Sequence, residues 1–402
     1  MKNELGYKHE IEIEILTPVA IGNGETMSPL VDYTINPDKP NEALLINSHK
    51  LEKTLEENPS LLSEYLSLVD KNKHEQSRNI LYDFLKKLPN DINNYIKKKI
   101  TIVGEGNAVE LKSCLKEAGQ PFISGSTLKG AIKSALFYNW FEEKNKADDF
   151  INDLKECYRR TDNDEKLLKK ERDAIIKRKE LNLKNNIEKT CNKFLDKITN
   201  KRRMSFSNLL FEDFYFNEND VMFFFAKRAH FLKNEKEIPL FIEAIAEYKK
   251  SKGSIQLNSK HLTNHPFEIF FTKENLNSLF GKINTYSLAN INYELEYICN
   301  CYESKESSNL KAYKEYLNKI SKKIEKQSKK GHKEAFIPIG FGKSNFYQSI
   351  GLSIWNNENH AFNNYYRLYR FKRNNIEKKV IPTRKTIINN KIPLGWIKLK
   401  QL

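Results

Sequence analysis

The residues best suited by type and spacing to do chemistry lie in QPFISGSTLKGAIKSALFYNW, residues 120–140. Ser124 and Ser126 carry oxygens that can accept from the free amides of a helix start, and Lys129 and Lys133 follow one turn apart. A capping box would want Glu or Gln three residues after Ser126, where Lys129 stands. Cations at a helix start oppose its macrodipole. An anion there would instead meet free N–H groups, the dipole and both ammonium groups together. Gly125 and Gly130 leave room for a phosphate to approach the main chain. The chemistry this spells is a grip on a phosphate backbone; the plainer alternative is an ordinary helix carrying two solvated lysines.

A second segment, IPIGFGKSNFYQSIG at 337–351, ends like a nucleotide loop but lacks its glycines. A Walker A motif needs glycine where Ile337 stands, and a dinucleotide fingerprint needs glycine at Asn345. What remains is a loop of backbone amides at Gly340, Phe341 and Gly342 beside Lys343, then a helix with Phe346, Ile350 and Ile354 on its inner face. Such a loop suits a phosphodiester chain or tight packing against another element.

Other groups offer less. His261 and His265 are four apart, but HLTNH has no catalytic Glu and Pro266 follows, so a loop is expected and no metal. His230, beside Lys227 and Arg228, has the chemistry of a metal-free ribonuclease acid, or of simple RNA contact. Asp32, Asp213 and Asp220 read as isolated carboxylates without assignable partners. The aromatic runs FEDFYF (211–216) and VMFFFAKRAHF (221–231) could stack bases or fill a core. No cofactor is expected.

These residues need elements to position them. HEIEIEIL (9–16) alternates polar and apolar, with Ile11, Ile13 and Ile15 on one face of a strand. Thr17-Pro18 ends it, and Gly22-Asn23-Gly24 reads as a turn. Residues 30–35 and 43–46 read as further strands, and about 48–100 as helical. Leu128, Ile132, Ala135, Leu136 and Trp140 recur at helical spacing. About 142–203 is polar and helical, with DNDEKLLKKERDAIIKRKE (162–180) almost wholly charged. Strand character returns from Met204, Ile238-Pro239 opens a helix or extended segment, and GSIQL (253–257) is a short strand. Residues 265–330 are again largely helical. Basic clusters lie at Ser321–Lys333 and Arg367–Lys385, and IPLGWIKL closes the chain as a short edge strand entered through Pro393. Strands and helices out of simple alternation argue α+β.

Composition sets the partners. Of 402 residues, 68 are Lys or Arg and 52 Asp or Glu, a formal charge of +16. Long-range attraction to polyanions follows, nucleic acid foremost, although lysine and asparagine are abundant throughout. Five scattered cysteines, with Cys299 and Cys301 too close for zinc spacing, read as reduced, mostly buried thiols. No secretory h-region or membrane-length apolar run is visible, so a cytoplasmic protein without membrane contact is expected.

Three segments resemble proteins of the RAMP superfamily. They are Leu16-Thr17-Pro18 with Ile21-Gly22-Asn23-Gly24, then Pro121–Ala135 around Ser124-Gly125-Ser126-Thr127-Leu128-Lys129-Gly130, and Gly340-Phe341-Gly342. Ser205-Phe206-Ser207-Asn208, Ile238-Pro239-Leu240 with Glu243, and Leu394-Gly395-Trp396-Ile397-Lys398-Leu399 look like the fifth-subunit family of type III-A CRISPR Csm complexes. Asn208 departs from the aspartate expected there. The resemblance implies tandem ferredoxin-like (RRM-like) domains at 1–203 and 204–402, with large helical insertions near 48–100, 142–203 and 265–330. It also implies crRNA binding near the 3′ end, capping of the filament and a part in crRNA maturation. Target RNA, the backbone and small Csm subunits and a host trimming nuclease are the implied partners. No nuclease site is implied. The RNA-binding positions expected from the residues, which the resemblance fits, are Gly22, Gly24, Ser124, Gly125, Ser126, Thr127, Lys129, Gly130, Lys133, Gly340, Phe341, Gly342 and Lys343. The alternatives are an endoribonuclease that processes crRNA with a histidine or cleaves target RNA with an aspartate, and an interaction protein whose basic surface is incidental.

Overall fold

The computed structural model describes residues 8–71, 80–106, 110–143, 152, 209–230, 237–257, 275–302, 308–343, 352, 384–389 and 391–402. The chain opens with β1 (Lys8–Ile15), whose Ile11, Ile13 and Ile15 are fully buried, as period-two alternation requires of a strand lying on a core. β2 (Gly22–Met27), β3 (Tyr33–Ile35) and β4 (Glu42–Ile46) precede α1 (Ser48–Glu56), α2 (Pro59–Lys71) and α3 (Ile80–Leu85). A 3₁₀ turn at Ile92–Tyr95 leads to β5 (Ile96–Val103), β6 (Leu111–Cys114), β7 (Lys116–Glu117), β8 (Gln120–Ile123) and α4 (Gly125–Glu143). β9 (Leu209–Phe211), β10 (Phe214–Tyr215), β11 (Val221–His230), β12 (Ile238–Ile245) and β13 (Lys250–Leu257) follow. The rest comprises α5 (Asn277–Tyr302), α6 (Ser308–Lys329), β14 (Glu334–Pro338), β15 (Arg384–Ile388), β16 (Ile392–Pro393) and β17 (Trp396–Gln401).

The first sheet has the order β14-β17-β1-β13-β9, antiparallel throughout. In chain order β1, α4, β9, β13, α5 and β17 run β-α-β-β-α-β, and the fourth strand lies beside the first, then the third, then the second. That is the ferredoxin-like arrangement, with β14 added outside. Its helices bury one stripe each against the sheet: Leu128, Ile132, Ala135 and Leu136 of α4, and Leu279, Phe280, Ile283 and Tyr286 of α5, in one core with Ile11, Ile13 and Leu399. α5 lies within the stretch read as an insertion, yet it supplies the second helix of this unit.

The second sheet runs β2-β6-β12-β11-β5-β4-β3, with β15 on β11 and β16 on β15. β6 with β12 and β11 with β5 are parallel; the other pairs are antiparallel. β11 is buried on both faces. Phe223 and Phe225 pack on Phe241 from one side, their ring centroids 5.6 and 4.2 Å away, while Phe224 and Ala226 join Ile242 and Leu394 on the other. These phenylalanines therefore fill cores and offer no base-stacking face. Both sheets draw strands from either side of residue 204.

Several local expectations change. Gly22-Asn23-Gly24 is no turn but the start of β2, where the register with β6 shifts between Gly22 and Thr26 and Gly24 takes φ +93°. Of 30–35 only Tyr33–Ile35 is a strand, and the helical stretch from Ser48 gives way to β5 at Ile96, because Ile100 and Ile102 must reach the second core. Ile238-Pro239 opens a strand. The terminal strand is not an edge: β17 lies between β1 and β14. Pro393 falls in β16 and Gly395, at φ +92°, turns the chain, so the missing proline N–H lies outside the β17 ladder. Thr17 and Pro18 bind this turn, through Trp396 N–H to Thr17 Oγ1 at 2.8 Å and Gly395 N–H to the Pro18 carbonyl at 2.9 Å. The charged 162–180 segment, Ser205–Asn208, His261, His265, the helix expected after Lys343 and Arg367–Pro382 lie outside the described residues.

Candidate nucleic-acid interface

The start of α4 is already capped from within the chain. Ser124 Oγ accepts from Thr127 N–H at 3.3 Å and lies 2.8 Å from Thr127 Oγ1 and 3.1 Å from Ser126 Oγ. Gly125 N–H donates to Asp213 Oδ1 at 2.6 Å, so the anion at this helix start is a carboxylate of the chain itself. The room at Gly125 is also occupied: a Cβ there would lie 2.3 Å from the Phe211 carbonyl oxygen. What stays open is the outer face of the helix. Ser126 and Gly130 are exposed, Lys129 and Lys133 half-buried, and nothing lies within 4 Å of where a Gly130 Cβ would sit. Burial first, and Lys133 second, hold the Lys129 ammonium below the usual lysine range. Two like charges one turn apart repel, and a phosphate between them would relieve that.

The glycine-rich loop packs tightly. Gly340 has φ +69° and a Cβ there would meet the Ala20 carbonyl oxygen at 2.4 Å; Gly342, at φ +90°, lies against Leu394. Phe341 N–H donates to the same Ala20 carbonyl at 2.7 Å. Lys112 Nζ lies 5.9 Å from the centroid of the Phe341 ring and the Arg228 guanidinium 5.7 Å from it, both within cation–π reach. Burial lowers the pKa of Lys343 below the usual lysine range, which marks it as a partly desolvated cation and not a freely solvated one.

Backbone hydrogen bonds join these segments. From Phe341 the seam runs through Ala20 and Ile21 to Leu115, whose N–H donates to the Ile21 carbonyl at 2.6 Å, and on to Phe122, whose N–H donates to the Leu115 carbonyl at 3.3 Å. Gly22 and Gly24 lie beside it on β2, an edge strand exposed from Gly22 to Thr26. The seam thus ties the glycine-rich loop to the strand that feeds α4, with Lys343 on the loop end and Lys129 and Lys133 on the helix end.

The three aspartates read as isolated are all engaged. Asp32 Oδ2 accepts from Ser28 N–H at 2.7 Å, Asp213 caps α4, and Asp220 pairs with Lys249 at 2.8 Å while accepting from Asn217 N–H. Glu243 is fully buried, accepting from Cys114 N–H at 3.0 Å and pairing with Lys116 at 2.5 Å. Burial chiefly, with Glu243 next, pushes the Cys114 thiol well above its usual range. Among the described residues no group of three or more His, Cys, Asp or Glu could hold a metal ion, and no helix is long and apolar enough to cross a membrane. The His230 side chain lies outside the described part of the structure.

Sequence reasoning missed Lys112 and Arg228. Both are exposed, Lys112 between the buried Leu111 and Ser113 and Arg228 between the half-buried Lys227 and the buried Ala229, so alternation along LKSC signalled the first alone, and only the fold brings both to Phe341. It also left Phe122 and Tyr215 undistinguished from core aromatics. Phe214 and Phe216 are buried on either side of Tyr215, which is 40% exposed.

The model of one protein family, the RAMP superfamily, matches residues 12–347. The chain is similar to a chain in the cryo-electron microscopy structure of a Csm-crRNA-target RNA ternary complex of a type III-A CRISPR-Cas system. The TM-score there is 0.64 at 16% identity, over 98% of this chain and 100% of that one. It is similar also to the crystal structure of Csm5 from T. onnurineus, with TM-score 0.62 at 17% identity, over 96% of this chain and 99% of the other. None of the curated proteins compared matches it.

Proposed function

The chain belongs to the RAMP superfamily, and we propose that it is a crRNA-binding subunit of a type III-A CRISPR Csm complex that grips RNA phosphates along the outer face of α4. The observation that carries the reading is that both Csm structures it resembles are matched from end to end. Within that fold α4 presents Lys129 and Lys133 one turn apart, with the exposed Gly130 beside them. A subunit that holds guides of any sequence should contact phosphates and not base edges, since phosphate contacts position a strand without reading it. Phe341 with Lys112 and Arg228 supplies a second cationic surface at the other end of the seam.

In this reading the protein is cytoplasmic, caps the 3′ end of the crRNA-bound filament and assists 3′ maturation by a trimming nuclease. It contacts the backbone and small subunits and, through the guide, target RNA. It carries no nuclease site of its own, which fits the engagement of Asp32, Asp213 and Asp220 in structural hydrogen bonds. The test is to isolate the tagged chain from its native cells and sequence what accompanies it. The expected result is the other Csm subunits with crRNA; recovery of the chain without RNA would overturn the reading. RNA cleavage by the purified chain that vanishes in His230→Ala would replace it with the endonuclease reading.

A further inference from the structure

We propose that Phe122 and Tyr215 form a stacking platform for one base of the single-stranded RNA whose phosphates run along α4; this rests on the RNA-binding reading above. The two residues are cross-strand partners, Tyr215 of β10 opposite Phe122 of β8. Their rings are stacked, with centroids 5.3 Å apart and planes 24° from parallel. The neighbours on both strands point the other way: Pro121, Ile123, Phe214 and Phe216 are buried. Tyr215 is 40% exposed and Phe122 half-buried, on a sheet of three short strands, so the pair keeps ring surface open to solvent.

The ring is also held. Tyr215 Oη donates to Glu117 Oε2 across from β7, which fixes the ring before any ligand arrives and so lowers the ordering cost of binding.

Position and charge point to nucleic acid and not to a protein surface. Phe122 lies on the outer side of β8, and Ser124, one residue beyond the end of that strand, hands the chain to α4. Ser126, Lys129, Gly130 and Lys133 follow on its open face. The surface therefore passes from π faces to hydroxyls to cations, the order in which a strand offers a base and then its phosphates. Glu117 and Asp213 carry charge near the Tyr215 ring; they repel phosphate while leaving an uncharged base free to stack. Every base has a π face, so the platform tolerates any guide sequence.

The experiment uses the full chain and fluorescence anisotropy with single-stranded RNA of two unrelated sequences, and with an abasic strand of the same length. Wild type should prefer intact over abasic RNA. Tyr215→Ala should weaken intact RNA about 5- to 150-fold, the range for removing one stacked base, with abasic binding and the salt slope unchanged. Tyr215→Phe, which keeps the ring, should retain most of the affinity, and a 2-aminopurine base in the strand should be quenched by wild type and not by the alanine variant. Equal binding of intact and abasic RNA by wild type would overturn the platform even if Tyr215→Ala proved unstable. So would loss of intact and abasic binding alike, or a defect confined to assembly with a protein partner. Binding that depends on Lys129 and Lys133 but not on Tyr215 overturns this proposal alone, whereas no RNA binding at all by wild type overturns both readings.

Discussion

Gly125 and Gly130 stand five residues apart on one helix, and alanine should act on them in opposite directions. At Gly125 the added methyl would lie 2.3 Å from the Phe211 carbonyl oxygen, 2.8 Å from its carbon and 2.9 Å from its Cβ. The obstacle is mostly backbone of β9, which cannot rotate away, so either α4 or β9 must shift. Overpacking of this kind costs about 1–3 kcal/mol, occasionally more, and Gly125→Ala should fall at the top of that range because the shift also strains the bond to Asp213 Oδ1. At Gly130 the methyl meets nothing within 4 Å, and glycine inside a helix is about 0.8–1.0 kcal/mol less favourable than alanine. Gly130→Ala should therefore stabilise the protein by about 1 kcal/mol. The same methyl would stand beside the two lysines, on the open surface where the proposed phosphate approaches the main chain, so RNA affinity should drop several-fold while stability rises. Urea unfolding of the two variants beside wild type, with RNA binding measured on the same preparations, reads both effects. A Gly125→Ala protein as stable as wild type would refute the close helix–strand approach, and Gly130→Ala with unchanged or tighter RNA binding would refute the use of that face.

Glu294 accepts from Lys385 Nζ at 2.6 Å and from Tyr313 Oη at 2.8 Å, tying α5 to β15 and α6 where both charges are buried. Glu294→Ala should cost about 3–5 kcal/mol by stranding a buried ammonium, and adding Lys385→Met should recover much of it; a urea midpoint near wild type for the single variant would contradict this. Burial raises the pKa of Glu247, and its Oε1 is buried without a hydrogen bond. A raised folded pKa favours the fold below the unfolded glutamate value and withdraws that contribution as pH rises through the folded one. Glu247→Gln should therefore be more stable than wild type at neutral pH, with the gap closing on acidification below the usual glutamate range; a gap that widens on acidification would show the sign to be wrong.

Local pattern carried the parts of the fold that depend on neighbours in sequence. The isoleucines of β1 alternate because one face lies on the first core, and the apolar stripe of α4 repeats every three to four residues because the helix lies on the same core; both could be read directly. What pattern cannot carry is pairing. β1 lies between β13 and β17, so Ile13 faces Ser251 on one side and Leu399 on the other, and nothing near residue 13 encodes either. For that reason local pattern places the terminal strand at an edge, with Pro393 pointing that way, whereas β17 pairs on both sides. The candidate site shows the same division. Serine, glycine and lysine around α4 were visible as a grip, but the carboxylate that occupies its first amide comes from Asp213, and the backbone that occupies the room at Gly125 comes from Phe211. Gly22, Asn23 and Gly24 have turn chemistry, and a strand edge with a register shift uses the same residues.

If α4 holds RNA by neutralising phosphates at Lys129 and Lys133, binding must depend on salt through those two lysines. Affinity for single-stranded RNA of unrelated sequences is measured from low to moderate salt for wild type and for the Lys129→Ala, Lys133→Ala double variant. Removing one phosphate-neutralising lysine should flatten the log–log slope by about 0.7 on a single strand, hence by about 1.4 for the pair, equally for every sequence. Stability should change little, since substitutions at such surface positions usually fall within about 0.5 kcal/mol. Parallel lines of equal affinity, with stability unchanged, would show that this face is only the solvent side of a capped core helix and that the RNA lies elsewhere.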